Sequence, residues 1–260
     1  MRPPRRRTLL AFCALATATL SGCSFFDDIL DPQSVANVRF FATHAGTPDE
    51  NGVYPDYGDN ETTRVFMNDT GWQISLSEVF VTTAEIRLVE CAGPATPIEM
   101  FWGPCPEAFI SEDDLDSVTL GAVTVPDGDY CGVDVIYAPY KPPPEGDDHI
   151  APGNDKILDH TILVVGVARR GMGPDLEEVP FEILSKKTAT ARLDVSALEF
   201  GGPIHLEDEN FPRDLTVIKT YDTFFDGVDF SVDGPPEIEA AIFAALELDT
   251  YAYDGVFDYE

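Results

Sequence analysis

Short β-strand patterns separated by turn residues dominate the sequence after residue 34. In one of them, Val133, Val135 and Tyr137 share a face of an alternating segment. The segment 161–168 is apolar at almost every position, which predicts a central strand covered on both faces. Further strands are predicted at 38–43, 63–67, 72–81, 85–89, 117–125, 130–137, 180–184, 188–195 and 215–221.

The turn Pro126-Asp127-Gly128 separates the strands 117–125 and 130–137, and this arrangement predicts a β-hairpin. One helix is predicted at 237–248, because Gly234-Pro235-Pro236 and an acidic residue occupy its start. Its apolar face would close the fold as a lid and is formed by Ile238, Ile242, Ala245 and Leu246.

Many short strands with Gly and Pro between them are typical of two packed antiparallel sheets. The predicted fold class is therefore all-β, mainly an antiparallel β-sandwich of Ig-like or jelly-roll-like type, with one short C-terminal helix. The sequence has neither an internal repeat nor a linker long enough to separate two domains. We therefore predict a single domain over residues 35–260.

Residues 1–22 have the pattern of a removable export signal. Met1–Arg7 carries four arginines and no acidic residue, and the apolar run Leu9–Leu20 follows. This run is too short for a membrane span, which needs about 20 apolar residues. The ending Leu20-Ser21-Gly22-Cys23 resembles the bacterial lipobox, in which the cysteine is acylated before cleavage.

Cys23 is therefore predicted to carry the lipid, with residues 23–34 as a tether to the lipid bilayer. Two or more acyl chains hold a protein stably at a membrane. Ser24 follows the cysteine where an inner-membrane retention signal would have Asp. This predicts a lipid-anchored protein of the bacterial envelope, on the outer membrane and facing the periplasm or the surface. The run Arg6-Arg7-Thr8-Leu9-Leu10 resembles a twin-arginine signal, so both the twin-arginine and the Sec route remain open.

The net charge of the chain limits the classes of partner that it can bind. Removal of residues 1–22 takes four of the 16 basic residues and none of the 47 acidic ones, which leaves a formal charge of −35. Such an acidic surface repels phosphate backbones, so nucleic acid is excluded as a partner.

The common catalytic motifs are absent from the sequence. It contains no Gly-x-Ser-x-Gly, no P-loop, no dinucleotide fingerprint, no His-Glu-x-x-His and no Cys-x-x-Cys. The four histidines stand apart from one another: His44, His149, His160 and His205. We therefore predict that the protein is not an enzyme.

Three cysteines remain after Cys23, namely Cys91, Cys105 and Cys131. An oxidising compartment predicts one disulfide with one cysteine left over, and the spacing alone leaves the pairing open. The two tryptophans have different settings. Trp72 opens a strand and is predicted to fill the core, whereas Trp102 is flanked by turn residues and is predicted to be exposed.

Three parts of the chain together resemble the MbnP-like family, which comprises periplasmic and lipoprotein β-sandwiches related to methanobactin-associated copper proteins. The first combines residues 71–78 with 86–91, and the second is Gly128-Asp129-Tyr130-Cys131 leading to Ala138-Pro139. The third and most specific contains Phe225-Asp226-Gly227-Val228-Asp229-Phe230 before the helix. The resemblance covers most of residues 36–257.

This resemblance implies copper handling. In the family, a partner dihaem peroxidase oxidises a tryptophan to kynurenine, and that group joins histidines in binding Cu(I), a metal that imidazole suits. For this chain the resemblance implies His44 and His160 as ligands, with Trp72 or Trp102 as the modifiable aromatic residue. It also favours the disulfide Cys91–Cys131 over its rival Cys91–Cys105.

The function predicted from the sequence is that of a membrane-anchored periplasmic or outer-envelope lipoprotein, a non-enzymatic binding module involved in Cu(I) handling. The alternative is a structural or surface-interaction lipoprotein that holds no metal. A dihaem peroxidase gene beside this one would favour the first.

Overall fold

The computed structural model describes residues 35–58, 62–111, 113–143, 152–196, 198, 203–207 and 212–257. The predicted signal peptide, the predicted lipidation site Cys23 and the predicted tether lie outside these residues, as does His149. The described chain is mainly antiparallel β-sheet with one α-helix near its C-terminal end, which confirms the predicted β-sandwich class.

The strands of the described chain belong to two sheets. In chain order they are β1 (Val35–Ala45), β2 (Arg64–Met67), β3 (Gln73–Glu90), β4 (Ala95–Pro97), β5 (Glu99–Met100), β6 (Cys105–Ala108), β7 (Val118–Pro126), β8 (Gly128–Tyr137), β9 (Ile162–Arg170), β10 (Glu177–Ser185), β11 (Ala189–Asp194), β12 (Ile204–Leu206), β13 (Arg213–Thr220) and β14 (Thr250–Asp254).

The first sheet has the strand order β14-β13-β1-β7-β5, with β1 in the middle. On one side β1 pairs with β7 in antiparallel fashion, and on the other it pairs with β13 in parallel. The parallel pair aligns Val38 with Arg213 and Ala45 with Thr220. An early strand and a late strand of the chain therefore lie side by side in this sheet.

The second sheet is organised around β3, in the order β10-β9-β3-β8-β11. The shorter strands β2, β4 and β6 also pair with β3, and β12 pairs with β8. The two strands predicted at 72–81 and 85–89 are parts of this one strand, with register shifts between Leu76 and Glu78 and between Thr83 and Glu85. The apolar strand predicted at 161–168 is central, because β9 lies between β10 and β3.

The hairpin predicted from Pro126-Asp127-Gly128 is wrong. The two strands beside this turn lie in different sheets, since β7 pairs with β1 and β5 while β8 pairs with β3, β11 and β12. The alternating pattern located both strands correctly, but each strand finds its hydrogen-bond partners elsewhere. The turn therefore connects the two sheets of the sandwich.

The predicted helix is present as α1 (Pro235–Leu248) and packs against β10, β11 and the 3₁₀ helix Tyr221–Phe225. The carboxylate of Glu237 accepts a hydrogen bond of 3.1 Å from the backbone N–H of Gly234, which satisfies one of the amides at the helix start. The predicted apolar face is buried at Ile238, Ile242, Ala245 and Leu246. No helix in the described part of the chain is long and apolar enough to cross a membrane.

The main apolar core contains side chains from both sheets and from α1. Phe40 of β1, Ile74 and Leu76 of β3 and Ile242 of α1 are fully buried members of it. Each such side chain contributes about 1.5–3 kcal/mol relative to its exposed state. The sandwich is therefore stabilised chiefly by apolar burial between its layers.

A disulfide joins Cys91 to Cys131, with 4.8 Å between their Cα atoms, and this pairing confirms the prediction. Cys91 directly follows β3 and Cys131 lies within β8, the strand beside it. Adjacent strands bring the two Cβ atoms within bonding range. Cys105 is buried and takes no part in the bond, so the rival pairing with Cys91 is not formed.

Candidate functional site

Five ionisable side chains meet inside the sandwich and form the buried ionic cluster. Its members are His44 of β1, Arg64 of β2, Glu107 of β6, Lys219 of β13 and Asp114 of the segment between β6 and β7. The first four are almost completely buried, while the side chain of Asp114 keeps 17% of its surface exposed. The cluster therefore reaches solvent at Asp114.

Strand pairing explains how these residues come together. His44 and Lys219 are aligned partners of the parallel pair β1–β13, so they enter the cluster from the first sheet. Glu107 enters from the second sheet, where its partner in the β3–β6 pair is Val81. The cluster therefore connects the two sheets through charged groups in the protein interior, where contacts between sheets are usually apolar.

Lys219 and Glu107 form its tightest ion pair. The Lys219 Nζ donates to the Glu107 Oε2 over 2.6 Å, and the side chains are 0% and 1% exposed. Burial raises the pKa of Glu107, but the neighbouring Lys219 charge and the His44 hydrogen bond outweigh it and hold the pKa below its usual value. Burial lowers the pKa of Lys219, and the Glu107 charge reverses this effect and raises it. Each charge keeps the other ionised.

His44 binds the other oxygen of the same carboxylate. Its Nδ1 lies 3.0 Å from the Glu107 Oε1, and because an ionised carboxylate can only accept, Nδ1 is the protonated nitrogen. The imidazole stacks on Phe109, with 4.3 Å between ring centroids and 5° between ring planes. The Nε2 lies 3.7 Å from the Asp114 Oδ1, beyond hydrogen-bond distance. The ring is therefore fixed by one hydrogen bond and one stacking contact.

Asp114 forms the outer end of the cluster. The Tyr221 hydroxyl donates to its Oδ2 over 2.7 Å, and the Arg64 Nε lies 3.4 Å from its Oδ1. Burial raises the pKa of Asp114 despite these stabilising neighbours. Burial and the Asp114 charge together raise the pKa of Tyr221. The Arg64 Nη2 also donates to the Phe109 carbonyl over 3.3 Å, which places the guanidinium beside the stacked ring pair.

A second tyrosine–carboxylate pair lies nearby. The Tyr57 hydroxyl donates to the Asp222 Oδ2 over 3.1 Å, and burial together with this carboxylate raises the pKa of Tyr57 to about 12. The Tyr57 ring also contacts the Tyr221 ring, with 6.0 Å between centroids. The phenol therefore stays protonated at physiological pH and acts as a hydrogen-bond donor.

No family model matches this chain, and no curated protein matches it. One solved structure is distantly similar. MbnP from Methylosinus trichosporium matches with a TM-score of 0.37 and 13% sequence identity, over 78% of this chain and 81% of that one.

The two histidines named as copper ligands lie in different settings. His44 is fully buried in the ionic cluster, with carboxylate oxygens beside both ring nitrogens. His160 lies in the segment before β9, and its Nδ1 is 2.8 Å from the carbonyl oxygen of Leu158. The residues of the described ranges form no group of three or more His, Cys, Asp or Glu side chains that could hold a metal ion. Copper ligation by His44 and His160 stays a prediction.

The two tryptophans have the environments predicted for them. Trp72 is fully buried, its indole Nε1 donates to the Asp229 Oδ1 over 3.1 Å, and the Arg170 guanidinium lies 4.3 Å from the ring centroid. Trp102 is 40% exposed, and the neighbouring Phe101 is exposed as well. Trp102 is therefore the more solvent-accessible of the two tryptophans.

Most of the buried ionic cluster was missed by reasoning from sequence. His44 was singled out, but its partners Glu107, Asp114, Arg64 and Lys219 were not. One signal was present, because Lys219 directly follows the apolar pair Val217-Ile218 in the buried part of β13. A single lysine within such a strand is rarely buried without an anionic partner.

Proposed function

We propose that the protein is a lipid-anchored lipoprotein of the bacterial envelope whose β-sandwich acts as a non-enzymatic binding module. The observation that carries the proposal is the Cys91–Cys131 disulfide. Disulfides persist in oxidising compartments outside the cytosol. This agrees with the export signal and the lipobox at Cys23.

The anchor is tested by Cys23→Ser, with Cys13→Ser as the matched control, since Cys13 lies within the predicted signal. We expect the first variant to lose its acyl mass and to leave the membrane fraction, because acyl chains supply the membrane affinity. The control should be lipidated like the wild type. A Cys23→Ser protein that stays in the membrane fraction with an acyl mass increment would refute the anchor.

Copper handling is the finer part of the proposal, and it is supported by the sequence resemblance. The described residues do not by themselves fit a resident copper ion. The carboxylates of Glu107 and Asp114 lie beside the two ring nitrogens of His44, and the Leu158 carbonyl lies beside the Nδ1 of His160. We therefore expect protein made without a dihaem peroxidase partner to bind Cu(I) weakly or not at all.

This expectation is tested by competition with a chromogenic Cu(I) chelator, using protein from the native host and from a host without the peroxidase. Native protein that carries a kynurenine should gain about 4 Da at Trp72 or Trp102 and bind more tightly. His44→Ala and His160→Ala should then weaken binding, while the control His205→Ala should not, because His205 is outside the predicted ligand pair. Native protein with intact tryptophans and no copper after dialysis would favour the alternative, an interaction lipoprotein without metal.

A further inference from the structure

The Lys219–Glu107 pair combines close contact with almost complete isolation from water. The amine nitrogen and a carboxylate oxygen are 2.6 Å apart, and neither side chain exposes more than 1% of its surface. Buried ion pairs carry a large desolvation cost, and apolar replacements are often as stable. The contact also holds the Lys219 amine beside the Glu107 carboxyl group, shielded from water.

We propose that Lys219 and Glu107 form an intramolecular amide cross-link between the Lys219 Nζ and the Glu107 Cδ. The reaction needs no co-reactant, because the ammonium and the carboxylate together contain the atoms of the amide and of one water. The bond would join β13 of the first sheet to β6 of the second, between residues 112 positions apart.

The step balances within the pair. One proton moves from Nζ to Oε2 along the 2.6 Å hydrogen bond and yields a neutral amine and a carboxylic acid. The amine lone pair then forms the Nζ–Cδ bond, and a second proton moves from Nζ to the departing oxygen. The Cδ–Oε2 bond breaks, water leaves, and Oε1 remains as the amide carbonyl oxygen.

His44 touches the reacting carboxyl group and is the catalytic residue of this step. Its Nδ1–H lies 3.0 Å from Oε1, the oxygen on which negative charge develops when the amine adds to Cδ. A donor held in place before the reaction stabilises such a charge more than water does. Stacking on Phe109 fixes the ring in this position.

Two physical effects favour the amide. The ion pair is the resting state of the two groups, whereas the amide and the released water are neutral, so the complete reaction removes the desolvation cost of both ions. Fixed orientation replaces an encounter between two molecules, and well-oriented intramolecular reactions reach effective molarities of about 10⁵–10⁸ M. The chain thus supplies the proximity and the dry surroundings that amide formation lacks in water.

Intact mass of the folded, purified protein tests the proposal. We expect a mass about 18 Da, one water, below that of the disulfide-bonded chain. Peptide mapping after reduction should find Lys219 and Glu107 in one branched peptide. The pair Lys156–Glu182 is the internal control, since it is 2.9 Å apart but about half-exposed and should stay unlinked. Folded wild-type protein with the full mass and two separate peptides would overturn the proposal.

Three variants test the individual groups of the amide-forming step. Glu107→Gln offers an amide, so the same attack should release ammonia and lower the mass by about 17 Da. Lys219→Arg should show no mass loss and should release both peptides. His44→Phe keeps the ring stack but removes the Nδ1 donor, so we expect the linked fraction to form more slowly after refolding. An unchanged rate in that variant would overturn the role of His44, and the wild-type mass decides the cross-link even where a variant fails to fold.

Discussion

Removing the disulfide is the perturbation whose size the structure defines most directly. The double variant Cys91→Ala/Cys131→Ala deletes both sulfur atoms and leaves no unpaired thiol at the site. The bond joins residues 40 positions apart. For a loop of this length the chain-entropy relation gives a loss of about 4 kcal/mol in the free energy of unfolding, because the unfolded chain gains freedom.

The assay is urea denaturation of the two proteins without reductant, followed by extrapolation to zero denaturant. A loss of this size corresponds to a fall of about 8–16 °C in Tm for a domain of 150–250 residues. Adding reductant should bring the wild type to the stability of the double variant and leave that variant unchanged. A loss below about 1 kcal/mol, or an equal effect of reductant on both proteins, would refute the loop-entropy reasoning.

Three further predictions concern single residues. Trp72→Phe should cost about 2 kcal/mol, since the buried ring loses a hydrogen bond to the charged Asp229, whereas Trp102→Phe at the surface should change the free energy of unfolding by less than about 0.5 kcal/mol. The Asp229 pKa is lowered to about 2 by hydrogen bonds to Ser231. The ionised Asp229 carboxylate therefore makes its full contribution to the free energy of unfolding at neutral pH, and this contribution is lost as the pH falls through the folded pKa. Wild type and Asp229→Asn should accordingly converge in stability toward pH 2. A constant difference between them down to that pH would contradict the assignment. Gly121→Ala should destabilise by about 1–3 kcal/mol, because the added Cβ would lie 2.1 Å from a backbone oxygen of β5; calorimetry showing an unchanged Tm would contradict this.

The sequence pattern predicted strand positions better than strand partners. Alternation places Val133, Val135 and Tyr137 on a buried face, as the structure has them. The same pattern carries no information on which neighbour a strand chooses, so a turn between two sheets was interpreted as a hairpin. The pattern also divided β3 into two predicted strands, 72–81 and 85–89. The polar residues Thr82 and Thr83 interrupt the apolar run there, although both are buried in the structure.

The site was less predictable than the fold. A buried charge is stabilised by partners distant in the sequence, and the Lys219–Glu107 contact spans 112 positions. The hydrophobic pattern of one segment cannot identify such a partner, since the partner lies on another strand in another sheet. The disulfide was predicted through the family resemblance, and the exposure of Trp102 through its turn neighbours. Charged residues within apolar strands would have been the useful additional signal.

The parallel pairing of β1 with β13 also sets the order in which parts of the first sheet can form during synthesis and folding. β1 is an early strand of the chain, but its partner β13 is about 175 positions further on, as the contact between Arg39 and Asp214 shows. Until β13 is available, one long edge of β1 has no native partner, and that strand carries Val38 and Phe40. Exposed apolar edges of this kind are sites of aggregation, and distant pairing slows folding. A chaperone that holds the chain until its last third has emerged would therefore protect this protein at the stage when it is most vulnerable.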